Sequence, residues 1–164
     1  MGSRFAFLVL ALAACGRKPK TDSQPMLPPA SAPATAIERV RVDEVAVAAR
    51  GTTIHVAWHV PEGTGVNGEA PFHVHWRQSD GLAIPPPAMN AKGADVQGGF
   101  DVALTPIADT PGGKLVGDLD IVVCDTATHL VCVPLRRELE LPFRVEALAP
   151  SAATVTVALP EAKS

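Results

Sequence analysis

Apolar and polar side chains alternate along most of the chain from Ile37 onward, and this period of two constrains the fold more than any other feature. The clearest runs cover residues 52–60 and 72–77. Successive side chains of an extended strand point to opposite faces, so these runs predict half-buried strands. Sixteen prolines and thirteen glycines are spread along the chain and exclude long helices.

The strand candidates are short, and turn-forming residues separate them. In the first candidate, Asp43 and Glu44 interrupt the alternation and predict an irregularity. Eight or nine strands within residues 37–164 predict a single all-β domain with the architecture of an antiparallel β-sandwich. The main candidates are residues 40–47, 52–60, 72–77, 99–105, 114–124, 130–133, 138–145 and 154–159.

The charge balance argues against nucleic acid as a partner. Lys and Arg number 14 against 17 Asp and Glu, so the formal net charge is −3. Nucleic-acid binders usually carry a basic surface, and this chain has none of that excess. Aromatic residues make up 4% of the chain and Tyr is absent, so stacking platforms for bases are not expected either.

The first fifteen residues have the pattern of an export signal. Arg4 precedes an apolar run from Phe5 to Ala14, which is too short to span a bilayer as a helix but suits a secretory signal peptide. The ending Leu-Ala-Ala-Cys resembles the lipobox of bacterial lipoprotein signal peptides. This resemblance implies that residues 1–14 are removed and that Cys15 is acylated. The alternative is an ordinary signal peptide that leaves Cys15 as a free thiol.

Residues 15–36 follow as a segment rich in proline and alanine, without apolar periodicity. Such a composition predicts an extended tether between an anchor and a folded domain. Gly16 stands where Asp often signals retention at the inner membrane, so the lipoprotein resemblance favours the outer membrane. We therefore expect the domain on the periplasmic side of a bacterial membrane, in an oxidising compartment.

The strongest candidate for chemistry is the pair Cys124 and Cys132, which flank a seven-residue connection between two strand candidates. With Cys15 lipidated, these are the only thiols left, and a hairpin would bring them to bonding distance. A structural staple and a redox-active disulfide both fit this spacing. His129 lies inside the connection, and Arg136 and Arg137 follow it; positive charge near a sulfur would favour a reactive thiolate. The spacing alone does not decide between the two interpretations.

The stretch from about Ile54 to Val145 resembles the amino-terminal domain of the DsbD-type thiol:disulfide interchange proteins. The likeness rests on Phe-His-Val-His-Trp at residues 72–76 with Asp-Gly-Leu at 80–82, on residues 119–124, and on Cys-Val-Pro at 132–134. It implies an immunoglobulin-like β-sandwich that exchanges disulfides with a thioredoxin-like periplasmic protein or a membrane electron-transfer protein. Seven residues rather than five separate the cysteines, and Val133 replaces an aromatic residue.

The resemblance also implies a role for each cysteine. Cys132 matches the residue that forms mixed disulfides with partners, and Cys124 matches the residue that resolves them. The expected activity is that of an electron carrier similar to a thiol–disulfide oxidoreductase, with no cofactor.

Four histidines give an alternative prediction. His55 and His59 share one strand face, as do His73 and His75, because each pair is separated by an even number of residues. If the two strands paired, four imidazoles would gather on the outward face and bind copper or zinc. The alternative function is therefore a non-catalytic binding module with a structural disulfide.

Overall fold

The computed structural model describes residues 37–128 and 130–162. This part of the chain is built from strands joined by short connections, with one turn of 3-10 helix between β6 and β7. The strands are β1 (Glu38–Arg41), β2 (Val45–Val47), β3 (Thr52–His59), β4 (Thr64–Val66), β5 (Pro71–Asp80), β6 (Met89–Lys92), β7 (Gly99–Leu104), β8 (Gly112–Asp125), β9 (Cys132–Val145) and β10 (Ala152–Ala158); the 3-10 helix is Gly93–Val96.

The strands form two sheets that pack against each other. The larger sheet has the order β1-β9-β8-β5-β6, with β2 also on β9 and β4 also on β8, and the smaller has the order β10-β3-β7. The prediction of an all-β sandwich is confirmed. Both sheets are mixed, because β1 and β2 pair parallel with β9 and β10 pairs parallel with β3. These parallel pairs differ from the purely antiparallel arrangement expected from the sequence.

The predicted inward faces form the core between the sheets. Ile54 and Val56 of β3 and Phe72 of β5 are fully buried, while the residues between them face outward. Phe72 of the larger sheet lies against the rings of Trp58 and Phe100 in the smaller sheet, with centroids 6.1 and 5.4 Å away. This aromatic contact joins the two sheets at the centre of the sandwich.

The longest element is the hairpin of β8 and β9. Its register runs from Gly112 opposite Arg144 to Cys124 opposite Cys132. The sequence predicted two segments, residues 130–133 and 138–145, in place of β9, with Pro134 between them. The strand continues through Pro134 because its nitrogen, which has no hydrogen to donate, lies on the side away from β8, and β1 pairs with β9 only from Arg137 onward.

Several expectations concern residues beyond these ranges. The predicted signal peptide 1–14, the lipidation site Cys15, the tether 15–36 and His129 all lie outside the described residues. Within the described ranges, no helix is long and apolar enough to cross a membrane.

Candidate functional site

The structure contains the predicted disulfide between Cys124 and Cys132. The two residues are directly opposite each other at the turn end of the β8–β9 hairpin, next to the connection between the strands, with Cα atoms 4.1 Å apart. The next pair toward the connection, Asp125 and Val131, is joined by a hydrogen bond in which Asp125 N donates to Val131 O at 2.9 Å. The cysteines therefore occupy a non-hydrogen-bonded pair, the type in which opposite side chains approach most closely.

The two sulfur-bearing residues differ in their access to solvent. Cys124 is 5% exposed, whereas Cys132 is exposed. Cys124 belongs to a central strand, because Gly65 of β4 pairs with it on the side away from Cys132. Cys132 lies on β9 before the start of the β1 pairing, so among the described strands only β8 flanks it. A thiolate approaching from solvent therefore meets Cys132 first.

Asn67 is the polar side chain in contact with the disulfide. Its Nδ2 donates to Cys124 Sγ at 3.1 Å and lies 3.7 Å from Cys132 Sγ. Its Oδ1 accepts from the backbone amides of Glu69 and Ala70 at 2.9 and 3.1 Å. Two amide donors fix the oxygen of the side chain on the loop side, so the NH₂ group must face the sulfurs.

The loop that carries Asn67 is itself held in place. Asn67 N donates to Val122 O of β8 at 2.9 Å, and the 3-10 helix returns two hydrogen bonds to the loop, from Gly93 N to Ala70 O and from Ala94 N to Gly68 O. Residues 61–71 are rich in turn-forming residues, and Asn67 was not predicted as a site residue. Nothing local in the sequence links it to a cysteine 57 positions away.

The hairpin connection is organised by Asp125. Its carboxylate accepts from the backbone amides of Ala127 and Thr128 at 3.1 and 2.8 Å, and Thr126 N donates to Gly63 O at 2.9 Å. Beside the connection lies a groove of about 380 Å³ that reaches both sulfurs. It is lined by Gly65, Val66, Asn67, Gly68, Glu69, Gln97, Cys124, Thr126 and Cys132.

The arginines expected to act on the sulfurs are paired with carboxylates. Arg136 Nε lies 3.2 Å from Asp120 Oδ1, and Arg137 lies 2.9 Å from Glu38. Their charges are therefore balanced locally, and among the described side chains the neutral amide of Asn67 donates to the sulfurs.

The segments that carried the resemblance lie at two ends of the larger sheet. Residues 72–76 alternate between core and surface in β5 and begin near the disulfide end. Asp80 pairs with Lys114, at the opposite end of β8 from Cys124, so residues 80–82 are remote from the disulfide.

The four histidines do not gather, and the expectation of one shared histidine face is wrong. The strand with His55 and His59 belongs to the smaller sheet, and the strand with His73 and His75 belongs to the larger sheet. All four point outward, so the two pairs are on opposite outer faces of the sandwich. The connection from β3 to β5 crosses between sheets instead of forming a hairpin within one.

Two of these imidazoles already have protein partners. His55 Nδ1 lies 2.7 Å from Asp101 Oδ1, and His73 Nδ1 lies 2.7 Å from Asn90 Oδ1. Among the residues described, no group of three or more His, Cys, Asp or Glu side chains is placed to hold a metal ion.

Comparisons with known proteins leave the site to be interpreted from its geometry. No family model matches the chain. No curated protein matches it either.

Proposed function

We propose that this protein exchanges disulfides with a thioredoxin-like partner through Cys124 and Cys132. The observation that carries the proposal is the unequal access to the bond: Cys132 is exposed on a part of β9 that, among the described strands, only β8 flanks, while Cys124 is 5% exposed. Thiol–disulfide exchange requires a thiolate to reach one sulfur in line with the other. An accessible first sulfur and a sheltered second sulfur meet this requirement.

In the reaction we propose, a thiolate of the reduced partner attacks Cys132 Sγ. A mixed disulfide forms, the Cys124–Cys132 bond breaks, and its electron pair leaves on Cys124 Sγ. The second thiolate of the partner then attacks the partner's own sulfur in the mixed disulfide and displaces Cys132. The partner is oxidised by two electrons and the domain is reduced by two, with the released thiolates protonated from water according to pH. The reverse sequence would reduce a partner disulfide.

The proposed location is the periplasmic side of a bacterial membrane. The apolar run up to Ala14 and the following Cys15 support a lipid anchor. In this setting the partner is a soluble thioredoxin-like protein or a membrane electron-transfer protein. Metabolic labelling with a palmitate analogue tests the anchor: we expect label on the wild-type protein and none on Cys15→Ser. Equal labelling of both proteins would contradict the proposed lipidation.

The exchange itself is tested in the full chain with Cys15→Ser, so that only two thiols are counted. The protein is equilibrated with thioredoxin and glutathione buffers, its thiols are trapped by alkylation, and the reduction potential is read. Exchange proteins lie between about −270 and −120 mV, and we expect a value in this range. A potential below about −300 mV would identify a structural bridge and overturn the proposal.

Single cysteine variants test the assigned roles. Cys124→Ser should accumulate a mixed disulfide with oxidised thioredoxin: the Cys132 thiolate attacks the thioredoxin disulfide, one thioredoxin sulfur leaves as a thiolate, and the resolving thiol of the domain is gone. Cys132→Ser should accumulate far less, because the remaining sulfur is 5% exposed. Equal trapping by the two variants would contradict the order of attack.

One observation favours a second candidate function, a binding module whose disulfide is structural. The bond joins residues only eight sequence positions apart. The backbone pairing of β8 with β9 already places these two residues opposite each other. Such a bond can fasten the end of a hairpin without taking part in exchange. The potential measured above separates the two candidates.

A further inference from the structure

We propose that Asn67 is a third functional residue of the site, beside the two cysteines. It donates a hydrogen bond to the Cys124 thiolate when the disulfide opens and so directs attack to Cys132. This inference rests on the proposed exchange function. The 3.1 Å contact from Nδ2 to Cys124 Sγ is shorter than the 3.7 Å separation from Cys132 Sγ. The donor is therefore placed at the sulfur that must leave when Cys132 is attacked.

The chemistry of the step explains why a donor there matters. Attack on Cys132 Sγ forms one S–S bond and breaks another, and the electron pair of the broken bond becomes negative charge on Cys124 Sγ. A hydrogen bond to a charged acceptor is about twice as strong as one between neutral groups. The Asn67 contact thus becomes stronger as the bond breaks, and it stabilises the reduced form relative to the disulfide.

Asn67 does not have to move to provide this hydrogen bond. Its oxygen is held by the amides of Glu69 and Ala70, and its own backbone amide donates to Val122 O. A donor fixed before the reaction requires little reorganisation during it. In the described part of the chain, this amide donates to the sulfurs, while Arg136 and Arg137 are paired with carboxylates.

A purely structural role is the competing explanation, because the same side chain also holds the loop. The two roles use different atoms: the loop uses Oδ1 and the sulfur uses Nδ2. Asn67→Asp keeps an oxygen for the Glu69 and Ala70 amides and replaces the donor with a negative oxygen. This substitution therefore removes the hydrogen bond to Cys124 Sγ while it preserves the acceptor for the loop amides.

The experiment measures cleavage of the disulfide by dithiothreitol in the full chain with Cys15→Ser at pH 8. We expect Asn67→Asp to slow cleavage at least tenfold and to lower the equilibrium constant for reduction about tenfold, which corresponds to about 30 mV for a two-electron couple. Asn90→Asp is the control, because it adds a negative charge at an exposed position of the same larger sheet. It should leave both quantities within a factor of two of the starting protein.

Asn67→Leu provides a second test that does not depend on the Asp variant folding. It removes both roles at similar volume. Loss of the donor slows cleavage, whereas loosening of a loop that only covers Cys124 speeds it. Faster cleavage in Asn67→Leu, or an unchanged rate in Asn67→Asp, would overturn the inference.

These outcomes are distinguishable from failure of the proposed function. Dithiothreitol reduces the bond whether or not a protein partner exists, so the effect of Asn67 is read in either case. If the starting protein has a potential below about −300 mV and Asn67→Asp has a tenfold effect, the role of Asn67 is supported and the proposed exchange with a protein partner is overturned. A potential in the exchange range without an Asn67 effect would reject only the role of Asn67.

Discussion

Glu138 forms ion pairs with two arginines on the outer face of the larger sheet. Its carboxylate accepts from Arg39 and from Arg77, the latter at 2.6 Å, and its side chain is 17% exposed. Arg77 also pairs with Asp118 at 2.9 Å. The hydrogen bond from Arg77 first, and that from Arg39 second, lower the pKa of Glu138 below its ordinary value of 4.5.

This shift fixes the sign of a pH effect on stability. Because the carboxylate has a lower pKa in the folded chain than in the unfolded chain, its contribution is fully present above pH 4.5 and is lost as the pH falls through the lower folded value. We expect Glu138→Gln to have a lower free energy of unfolding than wild type at pH 7, and the difference to shrink below pH 4.5. Urea unfolding from pH 3 to pH 7 measures it.

Glu62→Gln is the matched control for this prediction, because Glu62 is exposed in the connection between β3 and β4. Its difference from wild type should be small and constant over the same pH range. A Glu138→Gln difference that persists unchanged at pH 3 would show that the ion pairs do not stabilise the fold.

The sequence and the structure agree on the cysteines but not on their surroundings. The chain has three cysteines, so Cys124 and Cys132 could be paired once Cys15 was assigned to the lipid anchor and a hairpin was expected between the other two. Asn67 could not be found in the same way, because asparagine in a loop with glycines is normally a turn former. Only the pairing of β4 with β8 brings it to the disulfide.

At the scale of elements, the alternation of apolar and polar side chains predicted most strands, and it failed for strands in which the alternation is weak. It anticipated β3, β5, β7 and β8 because each has buried residues at alternate positions. It missed β6, which has only four residues and none that is buried. The parallel edge pairings were also not predictable, since alternation specifies the faces of a strand but not the direction of its neighbour.

The β8–β9 hairpin should keep its pairing when the disulfide is removed. Twelve further residue pairs hold it together beyond Cys124 and Cys132, and Asp125 organises the connection. The chain-entropy model gives about 2.5 kcal/mol for a closed loop of this size, and residual hairpin structure in the unfolded chain reduces it. We therefore expect the double variant Cys124→Ala with Cys132→Ala to have a free energy of unfolding at most about 2.5 kcal/mol lower than that of the wild type.

Hydrogen exchange locates this loss. The amides of residues 125–128 and 130–131 should exchange faster in the double variant. The exchange of residues 115–119 and 137–141 should change only as much as the free energy of unfolding of the whole domain changes. Cys15→Ser alone is the control for loss of a thiol elsewhere. Fast exchange along the whole hairpin would show that the disulfide holds the element together, as a structural staple would.

For the whole molecule, the crossing between sheets decides which residues can act together. The sequence placed both histidine pairs on outward faces correctly, but a shared face required the two strands to pair in one sheet, and they lie in different sheets. The sandwich separates them by its full thickness, about 10 Å between sheets plus the outward side chains. The same crossing puts Trp58 of β3 and Phe72 of β5 on facing inner surfaces, where their rings are 6.1 Å apart.

That aromatic contact predicts how the molecule unfolds. Phe72 is fully buried in the larger sheet and touches Trp58 and Phe100 of the smaller sheet, so truncating it removes packing from both. We expect Phe72→Ala to lower the free energy of unfolding by about 3–5 kcal/mol.

Tryptophan fluorescence and far-ultraviolet circular dichroism should shift together in urea, because a core shared by both sheets unfolds cooperatively. Leu148→Ala, at a position that is 97% exposed, should change stability by less than about 0.5 kcal/mol. Two separated transitions in the wild-type protein would mean that each sheet unfolds on its own, and that the aromatic contact does not couple them.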